Sequence, residues 1–267
     1  MMNDPKEKPS GSKAPAFVPD LLEHGAPRRG QSQTLDRRLF MQLHVFTDFR
    51  LEEGNLWLPA PIIFDTVSEH VDRGLQVVLY QNMNDPFGIG VLVMSEDPDT
   101  LRLESRIMFN TAPFPDLTPV PDFTMFGRTY SAGREADLED FLLHKPRRNA
   151  LNPDHPWAIW YPLRRSGAFN RLEKAEQGRM LVEHALIGRA YGEAGAATDI
   201  RLECHGLDRD DNEFVLGIIG SELYPLSKLI KDMRSTRQTS EFIEKMGPFF
   251  VGNKFYQSKL LAPSHTE

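Results

Sequence analysis

Gly90-Val91-Leu92-Val93-Met94-Ser95-Glu96 has a counterpart in the second half of the chain, Leu216-Gly217-Ile218-Ile219-Gly220-Ser221-Glu222. Each is a short apolar run closed by Ser-Glu, with the length and composition of a buried strand. A proline follows each in the next segment. Pro98 begins a helix expected over 98–108, behind the N-cap cluster Ser95-Glu96-Asp97. Pro225 begins one expected over 225–233.

Working outward from this pair, the order of elements repeats. The first half reads as a strand over 39–46, then a helix over 62–73 in which Ile63, Val67 and Val71 recur at helical spacing. A strand over 76–80, the turn Asn82-Met83-Asn84-Asp85-Pro86 and a strand over 88–94 follow. After the helix over 98–108, a Pro-rich stretch over 112–121 leads to an aromatic strand over 123–130. The second half reads as a strand over 157–163, a long helix over 169–191 ended by Gly192, a strand over 199–205, a polar turn over 206–212 and a strand over 213–219. After the helix over 225–233, Phe249-Phe250-Val251 completes the set, and Met125-Phe126-Gly127 echoes Phe250-Val251-Gly252. Each half is thus β-α-β-β-α-β, the ferredoxin-like unit. Two such units predict an α+β fold whose paired sheets curl into a barrel with helices outside. The expected divisions are a disordered or loosely docked tail over 1–36, a first repeat over 37–150 and a second over 151–267. The tail reading rests on Pro5, Pro9, Pro15, Pro19 and Pro27 among polar residues, which bury too little apolar surface to offset ordering entropy.

Composition excludes several classes of function. Among 267 residues, 31 Lys and Arg against 38 Asp and Glu leave a net charge of −7, so nucleic acid is not the expected partner. The one cysteine, Cys204, excludes an internal disulfide framework and any multi-cysteine zinc or iron–sulfur site. No apolar run has the length of a membrane span, and the N-terminus lacks the apolar core of a signal peptide. A cytoplasmic location is expected.

Three groups of residues could carry chemistry. His184 lies in the long predicted helix, on a face with Met180, Leu181, Ile187, Gly188 and Tyr191. An imidazole on an apolar stripe is either a core histidine satisfied by one hydrogen bond or a single nitrogen ligand to a haem iron. Gly188, one turn on, removes a side chain beside it. The strand over 199–205 alternates, with Ile200, Leu202 and Cys204 on one face and Asp199, Arg201, Glu203 and His205 on the other. In a barrel covered by helices, the apolar face is expected to lie under the helices and the polar face to line the interior, where a carboxylate could do acid–base work. Lys145-Pro146-Arg147-Arg148 and Arg164-Arg165 bracket the strand over 157–163, and arginines so placed suit carboxylates or phosphates, or simply a solvated loop. His44, His70, His144 and His155 show no metal-ligand spacing, and no phosphate-cradling Gly-rich loop follows a strand.

Trp160-Tyr161-Pro162-Leu163-Arg164-Arg165, the run from Glu183-His184 to Ala190-Tyr191, Gly206-Leu207-Asp208, Met233-Arg234 and Gly247-Pro248-Phe249-Phe250-Val251-Gly252 together resemble the chlorite dismutase-like haem proteins, and among them the coproheme decarboxylases. The resemblance covers roughly 157–253. It implies two ferredoxin-like repeats in a barrel, a pentameric assembly, and an iron porphyrin cofactor (iron coproporphyrin III or haem b) in the C-terminal half. It further implies His184 as proximal iron ligand, Tyr161 as a radical-forming tyrosine beside a propionate, and Arg147, Arg164 and Arg165 as propionate contacts. The reaction implied is peroxide-driven oxidative decarboxylation of two coproheme III propionates, giving haem b. A haem b protein with weak peroxidase-like activity, a haem carrier or sensor without turnover, and a haem-free ligand-binding protein are the alternatives. The sequence departs from the family at the distal position, where Asp199 stands for an arginine or glutamine, and at Phe169 and Leu163, where tryptophan and methionine are usual. An anion at that position would repel chlorite, which argues against chlorite dismutation, and Asp199 is instead expected to accept a proton from peroxide.

Overall fold

The computed structural model describes residues 17–49 and 60–259; the expectations for 1–16, 50–59 and 260–267 fall outside the described residues. The elements in chain order are β1 (Glu23–Arg28), β2 (Gln31–Leu35), β3 (Phe40–Thr47), α1 (Ala60–Val71), β4 (Gln76–Asn82), β5 (Ile89–Ser95), α2 (Pro98–Phe109), β6 (Thr118–Pro119) and β7 (Met125–Arg128). A π-helical turn at Asp140–His144 then runs into α3 (Lys145–Ala150). The second half comprises β8 (Trp157–Arg165), α4 (Gly167–Asn170), α5 (Lys174–Glu193), β9 (Thr198–Glu203), β10 (Phe214–Gly220), α6 (Leu223–Met233), α7 (Arg237–Phe242), β11 (Ile243–Met246) and β12 (Phe250–Gln257).

The large sheet closes on itself. Its order is β10-β9-β7-β3-β5-β4-β12-β8, and β8 pairs again with β10. Within the ring, β7-β3-β5-β4 and β12-β8-β10-β9 have the same internal order, fourth-first-third-second, which is the antiparallel ferredoxin-like arrangement. The two repeats join where β12 pairs β4 and where β7 meets β9 at Arg128↔Glu203. A closed sheet leaves no long unpaired edge.

The barrel interior is apolar. Met41, Leu43, Tyr80, Leu92, Met94, Met125, Trp160, Val215, Ile219 and Phe250 form one buried cluster there, and Ile200, Leu202 and Cys204 belong to it. The expectation that the polar face of 199–205 lines the interior is therefore reversed. Eight strands leave an interior just wide enough for side chains to fill, and apolar side chains fill it. Asp199, Arg201 and Glu203 point outward, on the side covered by helices. Two glycines make room for the largest rings. A Cβ on Gly217 would lie 2.6 Å from the Trp160 indole, and one on Gly90 would collide with the Phe250 ring. Gly90 and Gly217 are thus the equivalent positions. The sequence echo that pairs Gly90 with Leu216 has the right strands but is one residue out of register, which puts opposite faces together.

Outside the barrel, α1 and α2 cover the first repeat through Ile63, Val67, Leu101 and Met108 against Val77, Leu79, Val91 and Val93. Asp97 caps α2 by accepting from Asp99 N and Thr100 N. The second repeat is covered by α5 and α6 over Ile159, Tyr161, Leu163, Phe214 and Ile218. The long helix starts later than expected, at Lys174, and the preceding Gly167–Asn170 turn is separate.

Glu23–Leu35, expected to belong to the tail, form a hairpin. Its two-residue loop has Arg29 at φ 51° and Gly30 at φ 79°, the double positive φ of a hairpin turn whose twist matches its strands. Polar contacts hold it. Glu23 accepts from Arg38, Arg128 and both the backbone N and Oγ of Ser131, and Ala26 N donates to Glu135 O. No apolar pattern marks such docking, so hydropathy reads it as tail.

Candidate functional site

Strand register assembles the outer face of the second repeat. Tyr161 pairs with Leu216, which pairs with Arg201, so these three form one rung across β8, β10 and β9. Ile159, Ile218 and Asp199 form the next rung. One end of this face is apolar and the other carries an ion pair, with Arg201 Nε 3.1 Å from Asp199 Oδ2.

His184 approaches from α5. It is half-buried, and its Nδ1 lies 3.2 Å from Thr236 Oγ1, at the start of α7. The Thr236 hydroxyl is 2.8 Å from the Met233 carbonyl, which can only accept. That carbonyl is the shorter of two acceptors open to the Thr236 proton, with Thr239 Oγ1 at 3.2 Å, and either choice leaves Thr236 to accept from His184. That places the imidazole proton on Nδ1 and leaves the Nε2 lone pair free, the tautomer of a metal ligand. Burial lowers the His184 pKa, and the nearby Arg201 charge lowers it further, so the ring is neutral at pH 7. Asp199 and Glu183 act in the opposite sense.

Tyr161 is buried, and its ring stacks on Phe249 with centroids 4.7 Å apart. Burial raises its pKa and Asp199 raises it further, while Arg234 draws it back, so the phenol keeps its proton at neutral pH. Asp199 thus acts on both His184 and Tyr161. Gly188 lies beside Met233, whose Cε would be 3.4 Å from an added Cβ.

The three expected arginine contacts have different fates. Arg147 is not brought to this face: it donates to Gln76 Oε1 at 2.7 Å, to the Leu143 carbonyl at 2.9 Å and to Glu96 Oε1 at 2.9 Å. Arg165 lies between the rings of Phe169 and Phe214, 4.6 Å from each, and pairs with Glu213 at 3.0 Å. Arg164 is loosely held, 3.6 Å from Asp211 and 4.0 Å from Glu244, and its buried Nε has no hydrogen-bond partner.

Sequence reasoning assigned no role to Arg201, Arg234 or Thr236. Arg201 was legible from strand alternation, and its guanidinium neutralises Asp199. The case against anionic ligands made from Asp199 alone therefore fails. Among the described residues, Arg234 makes one polar side-chain contact, to Met246 Sδ at 3.9 Å, and lines a cleft of about 310 Å³ with Thr239, Ser240, Glu244, Lys245 and Met246. Thr236 is distant in sequence from His184, and no local signal could have found it.

The face also suits a flat, metal-bearing macrocycle. The twenty residues of α5 bury only Met180, whereas the twelve of α2 bury Leu101, Glu104, Ser105 and Met108. The helix bearing His184 is thus less tightly seated than its counterpart. One neutral nitrogen ligand, an apolar wall and cations at the rim are what an iron porphyrin with carboxylate arms requires. Among the described residues, no group of three or more His, Cys, Asp or Glu could hold a metal by itself, and no helix is long and apolar enough to cross a membrane.

Comparison with known proteins gives a consistent picture. Residues 129–255 match the family model described as Chlorite dismutase. A coproheme decarboxylase of Oceanobacillus iheyensis is 30% identical over 136 residues, 48% of this chain and 51% of that protein. A protein of Haloarcula marismortui named for heme binding is 28% identical over 151 residues, 55% of this chain and 22% of that protein. The chain thus spans about half the length of the first of these relatives and about a fifth of the second. The structure of a heme-binding protein from Thermus thermophilus superposes with a TM-score of 0.65 at 17% identity, covering 82% of this chain and 92% of the other. A chlorite dismutase from Candidatus Nitrospira defluvii, in complex with imidazole, superposes with a TM-score of 0.61 at 14% identity, covering 82% and 91%. These last two likenesses are of fold.

Proposed function

We propose that this chain, whose residues 129–255 match the family model described as Chlorite dismutase, is a chlorite dismutase-like protein that binds an iron porphyrin on the outer face of its second repeat and oxidatively decarboxylates coproheme with peroxide, giving haem b. The observation that carries the reading is the His184–Thr236 hydrogen bond, which presents the Nε2 lone pair from a neutral ring.

When bound, the iron porphyrin would supply the oxidising chemistry with peroxide. The chain's residues then have separate tasks. His184 Nε2 would hold the iron, with Thr236 fixing the ring's orientation. Arg234 and Arg164, loosely held by their protein neighbours, would hold carboxylates at the rim. Tyr161, buried and protonated, would give up an electron and its phenolic proton during oxidation of a nearby propionate. Asp199, close enough to perturb Tyr161, would accept protons on that side. Stacking on Phe249 excludes water from the phenol ring. By the same reading the repeats divide at about residue 150, the protein works in the cytoplasm, and it assembles as a homo-oligomer, a pentamer by family resemblance.

The deciding experiment adds coproheme and then titrates peroxide, with mass spectrometry of the porphyrin. Loss of two carboxyl groups supports the reading, and Tyr161→Phe should abolish that loss. A Soret band that forms with wild type and fails with His184→Ala tests binding separately. Bleaching without mass loss would refute decarboxylation. That result would favour a second reading, a haem-binding protein with weak peroxidase-like activity or none. The commitment of Arg147 and Arg165 to protein partners supports this alternative, because it leaves fewer cations for the four carboxylates of coproheme.

A further inference from the structure

Thr236 is the N-cap residue of α7, yet its side chain caps none of that helix's backbone N–H groups. A threonine in that place ordinarily uses its hydroxyl on them. Here Glu183 takes over, its Oε2 accepting from Arg237 N, the first N–H of the helix, at 3.4 Å. Glu183 precedes His184 in α5. The residue beside the imidazole thus holds the start of α7 and leaves Thr236 Oγ1 for His184. The Arg237 side chain continues the grip. Its Nη1 donates to Glu176 Oε1 at 2.9 Å, and its Nε donates to Glu241 Oε2, within α7, at 3.0 Å. Glu176 and Glu183 lie two turns apart on one side of α5, and both reach one residue of α7.

The far end of α7 is held differently. Phe242 packs there with Phe169 and with Met180, the side chain that α5 buries. Loss of the Arg237 contacts would leave α7 attached at Phe242 and free its first residues, Thr236 among them.

We propose that Arg237 is a positioning residue for His184: gripped by Glu176 and Glu183, it sets the start of α7 against α5 so that Thr236 Oγ1 meets the imidazole Nδ1. Arg237 is 47% exposed and Glu176 30%, and a pair so exposed contributes little to stability. What the grip supplies is position. The hydrogen-bond partner of a metal-ligating histidine fixes its ring and tautomer, and a residue that holds that partner acts through it. The effect on porphyrin affinity rests on the reading of His184 as iron ligand, whereas the effect on the imidazole does not.

The test is nitrogen-15 NMR of the histidine rings in the full-length, porphyrin-free protein, with Soret titration by coproheme as the second readout. Wild type should hold the His184 proton on Nδ1. Arg237→Gln keeps the backbone N–H and removes the guanidinium. It should shift the His184 ring toward exchange between its two tautomers, with circular dichroism and melting as in wild type. Coproheme affinity should fall about three- to fivefold, roughly what one such ion pair contributes. Glu176→Ala should reproduce both changes, and Arg237→Lys, which retains the charge, should restore both. Should Arg237→Gln fail to fold, Glu176→Ala decides, because it leaves Arg237 paired with Glu241. A His184 tautomer unchanged in Glu176→Ala would overturn the proposal, whatever the porphyrin affinity. A tautomer that responds, in a protein whose Soret band survives His184→Ala, would support the positioning role and sink the iron-ligand reading instead.

Discussion

His184 Nδ1 donates to Thr236 Oγ1 across 3.2 Å, and this contact joins α5 to the start of α7 through a hydroxyl whose own proton goes to the Met233 carbonyl or to Thr239 Oγ1. Ring orientation and the proton on Nδ1 follow from it, while burial and the Arg201 charge keep the ring neutral. Thr236→Val keeps the shape and removes the acceptor. The expected result is a 10- to 100-fold loss in iron-porphyrin affinity, roughly the cost of removing a ligand's hydrogen-bond partner, read by Soret titration. Thr236→Ser should restore wild-type binding.

The barrel interior yields a coupled pair. Trp160 is fully buried, and its indole occupies the space a side chain at Gly217 would need. Trp160→Ala should cost about 3–5 kcal/mol in denaturant unfolding. Gly217→Ala should cost about 1–3 kcal/mol by overpacking. Combining Gly217→Ala with Trp160→Phe should cost less than the sum of the two single changes, because the smaller ring makes room for the methyl. Strict additivity would show that the two positions do not meet.

Acid should destabilise the first repeat through His44. Its ring packs edge-on to Phe109 with centroids 4.7 Å apart, its Nε2 is buried without a partner, and burial pushes its pKa down to about 4. The unfolded chain has the ordinary value near 6.5, so below that pH it binds a proton the folded chain refuses. The contribution is thus fully present above about pH 6.5 and is lost as pH falls toward 4, on the order of 3 kcal/mol across that window. His44→Phe should flatten this part of the stability–pH profile measured by urea unfolding. An unchanged slope would assign the acid sensitivity elsewhere.

Glu23 should govern the docking of the β1–β2 hairpin. Its carboxylate accepts from Arg38 Nε and Arg128 Nη1, both at 3.2 Å, and from Ser131 N and Oγ at 2.9 and 3.1 Å. Glu23→Ala takes one carboxylate from Arg38, which keeps Asp36, and from Arg128, which keeps Glu203, and leaves Ser131 N without its acceptor. A loss of about 1–2 kcal/mol is expected, chiefly from the backbone N–H left without its acceptor and the weakened arginine pairs. Hydrogen exchange should rise first over 23–35, with the barrel strands still protected.

Several features were legible from the chain alone, each for a local reason. Strand alternation placed Ile200, Leu202 and Cys204 on one face of β9 and Asp199 and Arg201 on the other, because successive side chains in a strand oppose each other. The repeated element order led to two ferredoxin-like units, and the motif around His184 and Tyr161 to the family. Which face of β9 lies inside was not local. It depends on the closed ring having an interior that only side chains fill, so the expected polar lining turned outward. The hairpin over 23–35 was missed because a carboxylate and two arginines hold it, not an apolar stripe.

The sequence by itself determined the order of elements and the two-repeat architecture, and its resemblance to a family singled out His184 and Tyr161. Only the tertiary structure decided what surrounds them. Thr236, Arg234 and Phe249 reach the face from segments about fifty or more residues away from the residue each one serves, and Arg201 acquires its role by sitting in register with Leu216 and Tyr161. Arg147 and Arg165, expected as propionate contacts, are engaged by nearby carboxylates and rings. A side chain's type is local, but its partners are set by sheet register and helix docking, and the free charge of an arginine is whatever those partners leave.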